Sequence, residues 1–205
     1  MDKLFYDKGR VKSFNDAVFS IAMTLLVLEI TIPSSRAISE YGTMLVLRSL
    51  IPSFIGLLVS FLVTALYWVS HLRVMHYVTE ISNKLLWTNI LLLLFIVLLP
   101  FSTAFYVQGI SFVGPFVFYC MNLSLIGLFN YFMVSQIVRG AHGKNKLSLN
   151  QVRWNRARAL NPLVMWVLAG ALAFVLPNIA RFIFFLIFII QPLIDRYYRK
   201  RGATV

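Results

Sequence analysis

The sequence has little charge and a single cysteine. Charged residues make up 13% of its 205 residues, whereas a soluble domain carries about 25%. One thiol, Cys120, cannot form an intrachain disulfide, and no Cys/His cluster has the spacing of a metal site. The nucleophile motif G-x-S-x-G and the zinc motif H-E-x-x-H do not occur. We therefore expect no enzyme and no bound metal.

Long apolar runs dominate what is present. Hydrophobic residues make up 60% of the chain, and the mean hydropathy is +0.80. Apolar runs of about 17–25 residues can cross a bilayer as helices. The sequence therefore predicts an all-α, integral membrane six-helix bundle in a single transmembrane domain, residues 1–205. The first run lacks a small-residue cleavage site and precedes further spans, so it does not predict a signal peptide. The predicted spans are about 13–33, 46–70, 85–107, 111–138, 160–176 and 179–196.

The basic residues indicate the orientation in the membrane. With the N-terminus in the cytoplasm, every Lys and Arg falls on the cytoplasmic side except Arg36, Arg48 and Arg181. This asymmetry over short loops predicts that both termini are cytoplasmic. The basic segment 139–160 also suits nucleic acid, but orientation and anionic lipid already account for its charge. We expect membrane lipids as partners and no nucleic acid.

The first span combines an apolar stripe with polar residues. At about 100° per residue, Ile21, Leu25 and Leu28 fall within about 60° of one another. Thr24 adjoins this stripe, and Asp16 lies on nearly the opposite face. Such a stripe suits lipid or a neighbouring helix as well as a pore, so periodicity alone leaves its role open.

Asp16 also has two interpretations. It can cap the N-terminus of the helix, as can Ser13 or Asn15, by accepting hydrogen bonds from free N–H groups. Alternatively, an ionisable group at the edge of a span indicates a functional site. Arg10, six residues earlier, is then a candidate ion-pair partner at the cytoplasmic rim.

Two stretches carry a family resemblance. "RVKSFND" (residues 10–16) resembles the R-x-x-x-F-S-D motif that opens the first helix of the transmembrane protein 175 family of potassium channels. The following "AVFSIAMTLLVLEI" (17–30) is similar to the rest of that helix, and residues 67–105 are similar to the second-to-third-helix region. Asn15 departs from the motif, which usually has serine there, but asparagine still donates and accepts hydrogen bonds.

The resemblance implies a potassium-permeable cation channel in a cell membrane, with the first helix lining a central pore. It implies a homotetramer, a hydrophobic constriction in place of a carbonyl filter, and no cofactor beyond the permeant K⁺. The sequence likewise has no T-V-G-Y-G filter segment. Short loops and a single repeat favour a prokaryotic cytoplasmic membrane. The implied sites are a constriction of Ile21, Leu25 and Leu28, a selectivity layer at Thr24, and a polar network of Arg10, Phe14, Asn15, Asp16, Trp68, His71 and Asn89.

Two other functions remain open. One is a proton-coupled transporter or proton leak that uses Asp16 and His71, and the other is a weakly selective cation pore. A transporter predicts saturable, coupled flux that is lost when Asp16 is neutralised, whereas a channel predicts unitary currents.

Overall fold

A computed structural model describes residues 5–78, 80–144 and 146–202, and it confirms the all-α prediction. The described residues also include a two-stranded ribbon that the sequence did not predict, in which β1 (Phe5–Tyr6) pairs antiparallel with β2 (Ile81–Ser82), with Tyr6 opposite Ile81. The elements are β1 (Phe5–Tyr6), α1 (Lys8–Leu28), α2 (Ser35–Tyr41), α3 (Thr43–Ser49), α4 (Ile51–Met75), β2 (Ile81–Ser82), α5 (Asn83–Val97), α6 (Leu99–Gln108), α7 (Val113–Gly143), α8 (Leu149–Leu172), α9 (Pro177–Ala180) and α10 (Phe185–Arg199).

Four segments of the described chain are long and apolar enough to cross a membrane, and the chain is a multi-pass membrane protein. These segments are Lys8–Leu28, Ile51–Met75, Asn83–Gln108 and Val113–Ala141. The last two predicted spans fall on α8 and on α9 with α10. Basic residues share α8 with the apolar ones, and a turn separates α9 from α10. The six-span count therefore stays a prediction.

The first helix begins earlier than the predicted 13–33. Its cap is Asp7, whose carboxylate accepts a hydrogen bond from the Arg10 backbone N–H at 2.7 Å. A side-chain oxygen placed there satisfies one of the free N–H groups at the helix start. The interpretation that the cap is Ser13, Asn15 or Asp16 is therefore wrong, and Asp16 lies more than two turns inside the helix.

The fifth helix begins well before the predicted residue 160. Ser148 and Gln151 form a reciprocal capping box: the Gln151 side chain accepts from the Ser148 N–H at 2.8 Å, and the Ser148 hydroxyl accepts from the Gln151 N–H at 3.3 Å. The basic residues assigned to the preceding connection thus lie on α8, and the helix continues through Pro162. The residues reassigned in this way are Arg153, Arg156 and Arg158.

Other predicted spans differ in where they break. The third divides into α5 and α6 at Leu98, because Pro100 has no N–H to donate to the preceding turn. The second begins at Ile51 rather than 46, with Pro52 in the first turn of α4.

One face of α1 attaches this helix to the bundle. Its buried residues are Asn15, Phe19, Ala22 and Leu26, spaced three or four apart, so they share one side of the helix. This face packs on α4, α5 and α6. The long helix α7 packs on α5, α6 and α8, and α8 in turn packs on α10. The opposite face of α1 is exposed in the protomer and carries the apolar stripe.

Candidate pore face and polar network

The apolar stripe of α1 is uncovered within one protomer. Ile21, Leu25 and Leu28 are 57%, 37% and 74% exposed, respectively. Thr24 is exposed between them. The stripe therefore faces away from the buried side of α1, and it presents three apolar side chains and one hydroxyl to whatever covers this surface.

The hydroxyl of Thr24 makes a hydrogen bond within its own helix. Its hydroxyl donates to the backbone carbonyl of Ile21 at 2.9 Å, a local bond that hydroxyl residues commonly make inside helices. The donor proton is thereby used, and the lone pairs of the oxygen stay free to face a cation or water. Thr24 thus supplies an acceptor oxygen on an otherwise apolar surface.

Asn15, His71 and Asn89 form a buried hydrogen-bonded network that joins α1, α4 and α5. The Asn15 amide nitrogen lies 2.7 Å from His71 Nε2 and 3.1 Å from Asn89 Oδ1, and the Asn89 amide donates back to Asn15 Oδ1 at 2.8 Å. With the two amides oriented in this way, Nε2 of His71 accepts the hydrogen bond from Asn15, which corresponds to the neutral tautomer with its proton on Nδ1. All three side chains are buried, so the network fixes the rotation of α1.

Asp16 has a different partner from the one expected. Its carboxylate accepts a hydrogen bond from the indole Nε1 of Trp68 at 2.9 Å. Arg10 and Asp16 are both described, and no ion pair joins them. The interpretation of an Arg10–Asp16 pair within one chain is therefore wrong. The Asp16–Trp68 bond is a second link between α1 and α4, one helical turn from the His71 contact.

Arg10 and Phe14 are not brought into this network. Both are exposed in the protomer, and Phe14 is 59% exposed. Phe14 precedes Ile21 by seven residues, two helical turns, and so continues the uncovered stripe towards the start of α1. Any role for these two residues requires a group from outside the protomer.

A cluster of side chains on α4, α8 and α10 was missed from sequence. The indole of Trp154 and the guanidinium of Arg158 both donate to Asp195 Oδ1, and Arg73 and Arg158 each contact the Trp154 ring. The sequence did contain one indication of this cluster, because Asp195 is the only acidic residue after Glu80. An isolated acid on an apolar helix indicates a specific partner.

The described residues contain no group of three or more His, Cys, Asp and Glu close enough to hold a metal ion. His71 is buried in the network, whereas His76 lies just past the end of α4. The side chains of the candidate site are therefore suited to hydrogen bonding and to lining an apolar surface rather than to ligating a metal.

Sequence comparison relates the chain to known channels. Residues 10–100 match the model of a family described as "Endosomal/lysosomal potassium channel TMEM175". A potassium channel of Chamaesiphon minutus is 39% identical over 98 residues, which are 48% of each chain, so this match spans about half that relative's length. A potassium channel of a Chryseobacterium species is 25% identical over 94% of this chain and 96% of the relative.

Structural comparison covers nearly the whole chain. The crystal structure of a "lysosomal potassium-selective channel TMEM175 homolog" from Chamaesiphon minutus superposes with a TM-score of 0.77 and 25% identity. The match covers 96% of this chain and 98% of that one. These proteins are named as ion channels and not as enzymes, in agreement with the expectation that this chain is no enzyme.

Proposed function

We propose that the chain is a member of the TMEM175 family, whose model matches residues 10–100, and that it forms a potassium-permeable cation channel whose pore is lined by α1. The observation that supports this most is the uncovered stripe of α1, opposite the face that packs on α4, α5 and α6. A helix face that only contacts lipid needs neither a fixed rotation nor a hydroxyl group. Buried polar groups fix the rotation of α1, and its apolar stripe contains a hydroxyl, so this face is better suited to lining a pore.

The pore requires several copies of the chain. One protomer offers a single lining helix, so we propose a homotetramer in which four α1 helices surround a central axis. Copies of Leu25 or Ile21 then meet at one level and form an apolar neck. Arg10 and Phe14, which are exposed in the protomer, become available to neighbouring subunits at the entrance. The proposed location is the cytoplasmic membrane of a prokaryote, with both termini inside and no cofactor.

The neck provides a route to selectivity without a carbonyl filter. A narrow apolar constriction admits a cation only after the ion sheds part of its hydration shell, and a narrower one closes by dewetting. K⁺ holds its water less tightly than Na⁺, so the neck favours K⁺ modestly. Four Thr24 hydroxyl oxygens, each on an exposed residue of the stripe, replace part of the lost hydration.

Planar bilayer recording of the purified protein under a K⁺/Na⁺ gradient tests this proposal. We expect unitary currents whose reversal potential lies closer to the equilibrium potential of K⁺ than to that of Na⁺. Leu25→Ala widens the neck and is expected to raise unitary conductance by roughly twofold or more. Thr24→Val keeps the side-chain shape but removes the hydroxyl, and we expect it to lower the K⁺/Na⁺ permeability ratio.

The matched control is Leu62→Ala on α4, because Leu62 is 45% exposed and lies outside the α1 stripe. We expect this variant to conduct as the unchanged protein does. Equal effects of Leu62→Ala and Leu25→Ala on conductance contradict the pore assignment. Cation currents without a K⁺ preference favour the weakly selective pore.

A proton-coupled transporter or proton leak through Asp16 and His71 is the second candidate. One observation favours it: His71 is fully buried on a helix that is long and apolar enough to cross a membrane, and its Nδ1 has no hydrogen-bond partner in the described chain. Buried ionisable groups in membrane helices mark proton pathways in pumps and transporters. However, the contacts of both residues already explain them as links between helices, since each is hydrogen-bonded across α1 and α4.

Asp16→Asn distinguishes the two candidates. The asparagine Oδ1 still accepts from Trp68, so we expect the fold and the K⁺ currents to persist, with unitary conductance within about twofold of the unchanged protein. The measurement pairs bilayer currents with pH-driven flux in liposomes. Loss of a saturable proton flux in Asp16→Asn, with no unitary current in either protein, supports the transporter and contradicts the channel.

A further inference from the structure

A groove opens between α4, α8 and α10, away from the α1 stripe. Its volume is about 260 Å³, several times the roughly 30 Å³ that one water molecule occupies in the liquid. The lining is mainly apolar, and three apolar side chains at its rim, Leu66, Val69 and Phe188, are exposed in the protomer. One end of the groove is polar, with Ser70, Arg73, Arg158 and Asp195.

Of the two guanidinium groups that the described chain places at this polar end, Arg73 is the one that makes no ion pair with a carboxylate. Asp195 is already engaged, because its Oδ1 accepts from both Arg158 and the Trp154 indole. Arg73 instead lies over the Trp154 ring, 5.6 Å from its centroid, with Arg158 near the same ring at 5.2 Å. Within the described residues Arg73 has no hydrogen-bond acceptor and no carboxylate partner.

This leaves an uncompensated positive charge beside an apolar groove. Arg73 is half-buried, so part of its hydration is already lost, and two guanidinium groups face one carboxylate. Such a site attracts an anion that can accept hydrogen bonds from a planar guanidinium, as phosphate does. Ser70 precedes Arg73 by three residues on the same face of α4 and offers a hydroxyl donor.

The position in the chain indicates which side of the membrane the polar end faces. Arg73 lies at the C-terminal end of α4, and Arg158 lies in the first half of α8. With cytoplasmic termini, both ends belong to the inner leaflet, which carries the anionic lipids of the membrane. Basic pockets between helices on that side suit anionic headgroups.

We propose that this groove binds an anionic phospholipid. The phosphate accepts hydrogen bonds from Arg73 and Ser70, and part of one acyl chain lies along Leu66, Val69 and Phe188. Because the groove has an apolar wall, we expect it to bind a lipid rather than free phosphate. Because the guanidinium of Arg73 is unpaired, we expect an anionic lipid to bind more tightly than a zwitterionic one. Two walls of the groove, α8 and α10, belong to the part of the bundle built on α7, so the site holds whether or not α1 lines a pore.

Native mass spectrometry of the full-length detergent-solubilised protein tests this proposal. Phosphatidylglycerol and phosphatidylcholine with identical acyl chains are titrated separately, and the dissociation constants are compared. We expect phosphatidylglycerol to bind at least fivefold more tightly, and Arg73→Gln to weaken its binding by about tenfold, the loss expected for one charge-assisted contact. The control Arg153→Gln removes the same charge from an exposed position on α8 and should change binding less than twofold.

A second pair of variants tests the acyl part of the site. Leu66→Trp adds bulk at the exposed rim of the groove and should weaken binding of phosphatidylglycerol, whereas Leu62→Trp, which does not line it, should not. Equal binding of the two lipids, or equal losses in Arg73→Gln and Arg153→Gln, overturns the proposal. Competition by millimolar inorganic phosphate identifies a phosphate site instead. A change of oligomer mass in Leu66→Trp identifies a contact between subunits instead.

Discussion

Replacing Asn15 with leucine is expected to lower the free energy of unfolding by about 2–4 kcal/mol, because it leaves buried polar groups without partners. Three hydrogen bonds disappear: one to His71 and two with Asn89. Leucine has the same branched shape and the same number of side-chain heavy atoms, so the substitution leaves no cavity, and the loss comes mainly from the unpaired polar groups. The measurement is denaturant titration of the purified protein in mixed micelles, followed by tryptophan fluorescence.

A double variant makes this prediction sharper. Asn15→Leu combined with Asn89→Leu removes both amides, so neither is left unpaired, and we expect it to cost less than the sum of the two single variants. Ser20→Leu is the matched control, since Ser20 is exposed on the same helix and donates only to the carbonyl of Asp16. Should Asn15→Leu prove as stable as Ser20→Leu, the network contributes nothing to holding α1.

The two faces of α1 were predictable because a helix has a fixed period. Ile21, Leu25 and Leu28 fall on one side by angle alone, and the structure places them on the uncovered side of the protomer. The angle argument says nothing about what covers that side. The role of the stripe as a pore therefore stays a prediction.

The partners of α1 were harder to predict. The three-residue spacing of Trp68 and His71 shows that they share a face of α4, but only the family resemblance indicated that this face meets Asn15 and Asp16. Asn15 and Asn89 are 74 residues apart in sequence, and no local pattern specifies that two such amides will meet. The resemblance also suggested Arg10 and Phe14 as partners, although both point away from the network in a single chain.

The predicted helix boundaries were wrong where a polar capping residue begins the helix before the apolar run. Asp7 and Ser148 fix the starts of α1 and α8 through side-chain bonds to backbone N–H groups, and both lie several residues before the apolar run begins. A search for apolar runs therefore begins these helices too late. The groove beside Arg73 could also not be predicted from the sequence, because it forms where α4 meets α8 and α10, which follow it in the chain by more than 70 residues.

The second large effect expected is block of the current by modification of thiols on the stripe. The chain has a single, buried cysteine, Cys120, so a Cys120→Ala background gives an unreactive starting protein. Leu25→Cys and Leu28→Cys then place one thiol per subunit on the proposed pore surface. In a water-filled pore these thiols form reactive thiolates, whereas a thiol facing lipid stays protonated and out of reach.

A membrane-impermeant, positively charged methanethiosulfonate reagent attaches a bulky cation to each reactive thiol. In the proposed tetramer, four such groups at one level of a narrow pore add both bulk and like charge to the path of K⁺, so we expect nearly all of the current to be lost. A reducing agent should restore the current, because the new bond is a disulfide. Leu62→Cys on α4 is the control, with similar exposure in the protomer.

The most direct test of α1 as the pore helix is therefore the K⁺ current of Leu25→Cys before and after this reagent, beside that of Leu62→Cys. The proposed pore predicts near-complete, reducible block in Leu25→Cys and an unchanged current in Leu62→Cys. An unchanged current in Leu25→Cys, with mass spectrometry showing that its thiol has been modified, contradicts a pore lined by α1.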